Sequence, residues 1–145
     1  MSERENIKTV QQVYENFKGE NFRSADMQSL LGLYSDDVEW QVPEMENVRL
    51  AGKRSGLKGV REFFSAVADD LEALQFETQE FIAQGDKVVA LGRYSWRVKA
   101  TGKEFSSDWA HVYTIRGGKI VRFHEYMDTA AEIRAHSKHK VRAQR

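Results

Sequence analysis

The side chains with chemistry to offer gather in the last third of the chain, in FSSDWAHVYTIRGGKIVRFHEYMD. Two alternating runs flank Gly117-Gly118, the strongest short-range signal for a β-hairpin. Successive side chains of a strand take opposite faces. Ser107, Trp109, His111 and Tyr113 therefore share one face of the first run, and Phe123, Glu125 and Met127 share one face of the second. If those faces coincide, a carboxyl and an imidazole stand among aromatic rings, a mixture suited to the wall of a small-molecule cavity. A carboxyl so placed loses hydration, which raises its proton affinity toward the range useful for acid–base chemistry. Glu125 is thus the first candidate for a working acid or base; its other reading is a rim glutamate in a surface ion pair. His111 would be a proton shuttle or a donor to a substrate oxygen, or else a satisfied structural histidine.

Asp128 is the rival carboxylate. It has the opposite parity to Glu125 and sits where a final helix begins, so it either contacts the ligand or caps that helix. Asp108 and His111 differ in parity, so only one of them can face the cavity, and His124 falls on the face opposite to Glu125. Asp36 and Asp37 are adjacent, hence splayed, and belong to a turn. Trp40, Phe64, Trp96, Trp109 and Phe123, with Ser107, Met127 and Asp128, are expected to contact a flat, apolar ligand carrying one or two oxygens. No His, Asp or Glu group has convincing metal spacing, and neither a Gly-rich phosphate loop nor a nucleophile elbow is present. No metal and no cofactor is expected. The absence of cysteine excludes a thiol nucleophile, a disulfide framework and a zinc–thiolate site.

The elements that must position these residues follow from periodicity. Ile7, Val10, Val13, Tyr14 and Phe17 recur at helical spacing, which predicts a helix over 4–19 ended by Gly19 and Asn21. Ser24 reads as the cap of a second helix carrying Met27, Leu30, Leu31 and Tyr34. VEWQV is a short strand stopped by Pro43, and 44–56 reads as a loop over the cavity mouth. Ser55 can cap a third helix whose buried stripe is Val60, Phe63, Phe64, Val67 and Leu71. The period then becomes two. Strands are expected in LQFETQEFIA, KVVALGRYSWRVK, KEFSSDWAHVYTI and KIVRFHEYM, with turns at Gly85-Asp86, Thr101-Gly102 and Gly117-Gly118. Such short connections predict an antiparallel meander. Thr129 can cap a last helix, with Glu132 placed for a capping box. The fold class is α+β: helices closing one face of a curved, mainly antiparallel sheet, as a cone with a cavity inside.

The 145 residues fit one domain, 1–137, with 138–145 a basic, solvated tail. Hydrophobic residues make up 41% and charged residues 30%, so an ordinary globular protein is expected. The 22 basic residues are matched by 22 acidic ones, a balance that argues against a dedicated nucleic-acid binder. No secretory signal and no membrane-spanning run is seen, so the cytoplasm is the expected compartment.

The helices together with LYSDDVEW, GLKGVREFFSAV and GKIVRFHEYMDTA resemble the SnoaL-like branch of the nuclear transport factor two-like superfamily, over about residues 5 to 135. That resemblance implies the same α+β cone and, commonly, a homodimer through the sheet. It also implies the activities of polyketide cyclases, ketosteroid isomerases and limonene epoxide hydrolases, or a non-catalytic ligand-binding or protein-interaction module. FHEYMD matches an epoxide hydrolase string in which the third residue is the catalytic carboxylate, so Glu125 takes that place. The same match turns Trp109 and His111 inward and Asp108 outward. Tyr14 matches a first-helix tyrosine that ketosteroid isomerases use as an oxyanion donor; its bland reading is a core tyrosine. Two departures are plain. The isomerases' early-strand base is replaced by Trp40, and the hydrolases' Arg-x-Asp pair survives only as Arg93-Tyr94-Ser95. Steroid isomerisation and epoxide hydrolysis in their known forms are therefore disfavoured. The expected function is small-molecule binding with, if there is turnover, cofactor-free proton transfer in isomerisation, dehydration or cyclisation. Glu125 would move the proton, and His111 or Tyr14 would stabilise the oxyanion.

Overall fold

The structure is a computed structural model and describes residues 2–17 and 24–138, the side chains of 24–26 excepted. The elements run α1 (Glu3–Asn16), α2 (Ser24–Leu31), β1 (Tyr34–Val42), β2 (Gly52–Ser55), α3 (Gly56–Asp70), β3 (Leu71–Gln84), β4 (Lys87–Val98), β5 (Glu104–Arg116), β6 (Lys119–Tyr126) and α4 (Thr129–His136). The six strands form one sheet in the order β2-β1-β6-β5-β4-β3. β3 to β6 are the expected antiparallel meander, whereas β1 lies parallel to β6. Helices pack against one face of this sheet, and the cone-shaped α+β architecture stands.

Helix α1 starts one residue earlier than its apolar stripe suggests, because Ser2 and Glu5 form a reciprocal capping box. Its expected stop, Gly19 and Asn21, lies outside the described residues, as does the capping side chain of Ser24. Glu3 accepts a 2.7 Å hydrogen bond from the Gly85 amide, tying the front of α1 to the β3–β4 turn. That tie and the burial of Val10 and Val13 fix which way Tyr14 points.

Strand β2 was not expected; it lies inside the stretch read as a loop. Gly-Lys-Arg-Ser has no apolar alternation, and only Gly52 of the four is buried. Backbone pairing to β1 makes the strand, and its charged side chains suit a sheet edge. Leu71 belongs to β3 rather than to the α3 stripe: it is the C-cap, already extended, and still buried. Ser55 occupies the N-cap position of α3 without a side-chain cap hydrogen bond. At α4 the cap is Asp128, whose side chain accepts from the Ala131 amide, so neither Thr129 nor a Glu132 capping box starts that helix.

Three glycines set the sheet geometry. Gly117 and Gly118 both have positive φ, 58° and 78°, which the tight β5–β6 turn demands. Gly92 stands opposite Trp109 in the β4–β5 ladder. A Cβ there would lie 2.2 Å from the Trp109 ring and 2.1 Å from the Glu77 carbonyl oxygen. The missing side chain is what lets the indole lie flat across β4. Gly92→Ala is expected to destabilise the fold by about 3 kcal/mol or more, since overpacking against backbone cannot relax. Urea denaturation checks it, and an unchanged midpoint would show that the indole sits elsewhere.

Candidate functional site

The register of the meander brings the polar residues together. His111 on β5 pairs directly with Glu125 on β6, and Tyr113 with Phe123. Trp109, His111 and Tyr113 share the inward face of β5 with Phe123 and Glu125 of β6 and with Tyr94 and Trp96 of β4. The outward face holds Asp108, its side chain 83% exposed and paired with Arg93 at 3.0 Å. His124 is also on that side, where it meets Tyr126. Arg93 therefore serves a surface ion pair, and the inward residue of Arg93-Tyr94-Ser95 is Tyr94.

Five side chains form one hydrogen-bonded relay. Tyr94 Oη donates to Glu125 Oε2 at 3.0 Å. His111 Nε2 lies 2.8 Å from the same oxygen. Tyr14 Oη is 2.7 Å from His111 Nδ1 and 2.8 Å from Tyr113 Oη. Glu125 and His111 are 8% and 7% exposed, so protein donors must replace water around the carboxylate. Burial pushes the Tyr14, Tyr94 and Tyr113 phenols well above the usual tyrosine range, so each keeps its proton.

Donor counting then fixes the direction of the relay. With Glu125 as a carboxylate acceptor, Nε2–H of His111 must donate to it. Nδ1 then accepts from Tyr14, and Tyr14 accepts from Tyr113. Every proton in the chain finds an acceptor in this arrangement. Reversing it leaves the Tyr113 hydroxyl without one. Both donors to Glu125 converge on Oε2, and among the described residues no hydrogen bond reaches Oε1.

The relay stands on the wall of a hollow between helices and sheet. About 650 Å³ of that hollow, counted out to its mouth, is free of atoms, but only about 70 Å³ admits the centre of a water molecule. It is a slot rather than a chamber. Tyr14, Trp40, Phe64, Trp96, His111, Phe123 and Glu125 line it, as do Tyr34, Tyr94, Tyr113 and Glu132. Trp40 and Phe123 stack with centroids 4.0 Å apart. Four residues expected at a ligand are not in the lining. Trp109 lies behind His111, stacked on it at 4.1 Å. Ser107 accepts from the Asp128 amide and Asp128 caps α4, so the two hold the start of that helix. Met127 is half-buried just beyond β6.

Glu132 was missed as a cavity residue. It is buried and lines the slot, and its Oε2 is 3.2 Å from His136 Nε2, one helical turn on. Only the i, i+4 spacing of Glu132 and His136 could have flagged it; its place four residues after Asp128 reads equally well as helix capping. Among the described residues no group of three His, Asp or Glu could hold a metal ion. None of the described helices is long and apolar enough to cross a membrane.

The family model described as the SnoaL-like domain matches residues 10–123. The chain belongs to that family. Among solved structures, an NTF2-like protein from Burkholderia xenovorans LB400 is 31% identical, with a TM-score of 0.83 over 94% of this chain and 99% of that one. An NTF2-like protein of unknown function from Burkholderia pseudomallei K96243 is 29% identical, with a TM-score of 0.79 over 93% and 98%. TerC, co-crystallised with polyporic acid, is 30% identical, with a TM-score of 0.74 over 91% and 98%. No curated protein matches the chain. The family match takes in Tyr14, Tyr94, His111 and Tyr113 but stops two residues short of Glu125.

Burial raises the Glu132 carboxyl above its ordinary value of 4.5; the His136 hydrogen bond opposes this and the charge of Glu125 adds to it. The folded protein therefore holds this proton more tightly than the unfolded chain. The stability that Glu132 contributes is complete below the ordinary value and is lost as pH rises through the folded one. Glu132→Gln should flatten the fall in urea midpoint that sets in as pH rises above the ordinary value of 4.5. An equally steep fall in the variant would contradict the assignment.

Proposed function

We propose that the slot binds a small, flat, apolar molecule bearing oxygen, and that Glu125 moves a proton on it without a cofactor. The observation that carries this reading is the free Oε1 of a buried carboxylate whose other oxygen is held by Tyr94 and His111. Two hydrogen bonds on Oε2 fix the plane of the carboxyl and leave Oε1 to meet a C–H acid. A carboxylate base with a fixed orientation suits proton abstraction beside a carbonyl. As Glu125 takes the proton, its hold on the His111 Nε2–H weakens. His111, backed by Tyr14, is then available to the oxyanion that develops on the substrate. Returning the proton at another carbon gives isomerisation. Losing a hydroxide with it gives dehydration, and adding the carbanion to a second carbonyl gives cyclisation.

The co-crystal of TerC, a 30% identical relative, with polyporic acid supports a small-molecule ligand for this fold. The apolar lining supports the flat, mostly hydrocarbon body of that ligand. A homodimer, implied by the family, would use the sheet. The large apolar side chains most exposed are Leu74 and Ile82 on β3 and Tyr126 at the end of β6.

The test uses 1-tetralone, a flat aryl ketone with acidic α-hydrogens, in deuterated water. The protein should speed α-deuterium exchange, and Glu125→Gln should slow it by about a hundredfold or more, the usual worth of a positioned base. Exchange by the variant at the full rate would remove Glu125 from the role. Binding of the ketone with no exchange by either protein would make the domain a carrier instead.

A further inference from the structure

Two hydrogen-bond donors in the slot play no part in the Glu125 relay. Tyr34 and Trp40 both lie on β1 and line the hollow. Each is 3% exposed, and their rings are neighbours with centroids 5.8 Å apart. Tyr34 Oη and Trp40 Nε1 are closed to water and have no hydrogen-bond partner among the described residues. An unpaired buried donor costs about 1–3 kcal/mol, and folded interiors seldom keep one. Here two stand on the wall of one cavity.

Their chemistry states what would satisfy them. An indole N–H donates and cannot accept. Burial pushes the Tyr34 phenol well above the usual range, so it too presents a proton. The wall of the hollow thus carries both the Glu125 carboxyl and two unpaired donors, among aromatic rings.

We propose that Tyr34 Oη and Trp40 Nε1 form an acceptor-recognition site, and that the ligand is an aromatic ketone or carboxylate whose oxygen they bind. This rests on the slot being a ligand site, as argued above, and adds the chemical class and its two anchoring residues. A site built around unpaired donors rejects a ligand that lacks the acceptor, because the donors then stay buried and unmet. The two donors also make an opposite demand on the empty protein, which each of them destabilises.

The test is a matched pair of probes, 2-acetylnaphthalene and 2-isopropylnaphthalene, alike in shape and differing in the acceptor. Titration calorimetry on the whole chain should show tighter binding of the ketone by about tenfold or more, the worth of one buried hydrogen bond. Tyr34→Phe should lose about tenfold for the ketone and leave the hydrocarbon unchanged. The same variant, without ligand, should unfold at the same or a higher temperature. Trp40→Phe should lose ketone affinity similarly, and 2-naphthoate tells whether a carboxylate is preferred to a carbonyl. Equal affinity of the wild-type protein for both probes, or a Tyr34→Phe variant that binds the ketone fully or melts lower, would overturn the proposal. The reading of the slot as a ligand site would survive any of those results. Failure of every naphthalene probe to bind would sink both, whereas loss of exchange chemistry alone would leave this proposal standing.

Discussion

The hydrogen bond between His111 Nε2 and Glu125 Oε2, 2.8 Å long across β5 and β6, is what the rest of the molecule has to supply and protect. A carboxylate withdrawn from water costs several kcal/mol. Its two charge-assisted hydrogen bonds, from His111 and Tyr94, return about 1.5–3 kcal/mol each. The sum is near break-even, so the site does not stabilise the fold to any large degree. The fold holds the site. A bulge between Thr114 and Ile115 shifts the register that the Gly117-Gly118 turn begins, and the shifted register puts His111 opposite Glu125; Gly92 leaves room for the indole that stacks behind the imidazole. The anchoring of α1 at Gly85 delivers Tyr14 to Nδ1. Three elements distant in sequence thus converge on one imidazole ring.

Much of this was legible in the residues. Alternation puts Trp109, His111 and Tyr113 on one face of their run and Phe123 and Glu125 on one face of theirs, but a regular ladder from the Gly-Gly turn would set His111 opposite His124; the bulge between Thr114 and Ile115 that brings the two faces together was not legible. The helical stripes of α1 and α3 were plain, because a one-sided apolar pattern must be buried somewhere. β2 was not legible: its pairing is made by backbone atoms, which carry no residue identity. The relay was not legible either. Parity leaves open whether His111 and Glu125 share a face, and it says nothing of Tyr14, almost a hundred positions earlier, closing on the other nitrogen. Tyr94 was hidden in Arg93-Tyr94-Ser95, where the match to the hydrolases' Arg-x-Asp pair concerns only the two flanking positions. Glu132 was hidden by a local explanation, helix capping, that Asp128 in fact satisfies.

The chemistry of the slot comes from unequal treatment of its polar groups. Tyr14, Tyr94 and Tyr113 are buried and paired, so they serve the carboxylate. Tyr34 Oη and Trp40 Nε1 are buried and find no partner among the described residues. A buried donor left without a partner costs stability. The aromatic rings around them exclude water, which strengthens each remaining hydrogen bond and raises the cost of each missing one. Fold membership is secure from the matched residues and the shared architecture, but the carboxylates Glu125 and Glu132 lie past the matched segment. The fold therefore identifies the frame, and the particular side chains must identify the reaction.

The most direct check on this picture is the tautomer of His111, read from the ring nitrogens by ¹⁵N–¹H NMR at neutral pH. The account requires the proton on Nε2, facing Glu125, and a bare Nδ1 accepting from Tyr14. Tyr14→Phe should disturb the Nδ1 signal and leave the Nε2 proton in place. A proton found on Nδ1 would mean that the relay runs the other way, and the orientation assigned to Glu125 would fall with it.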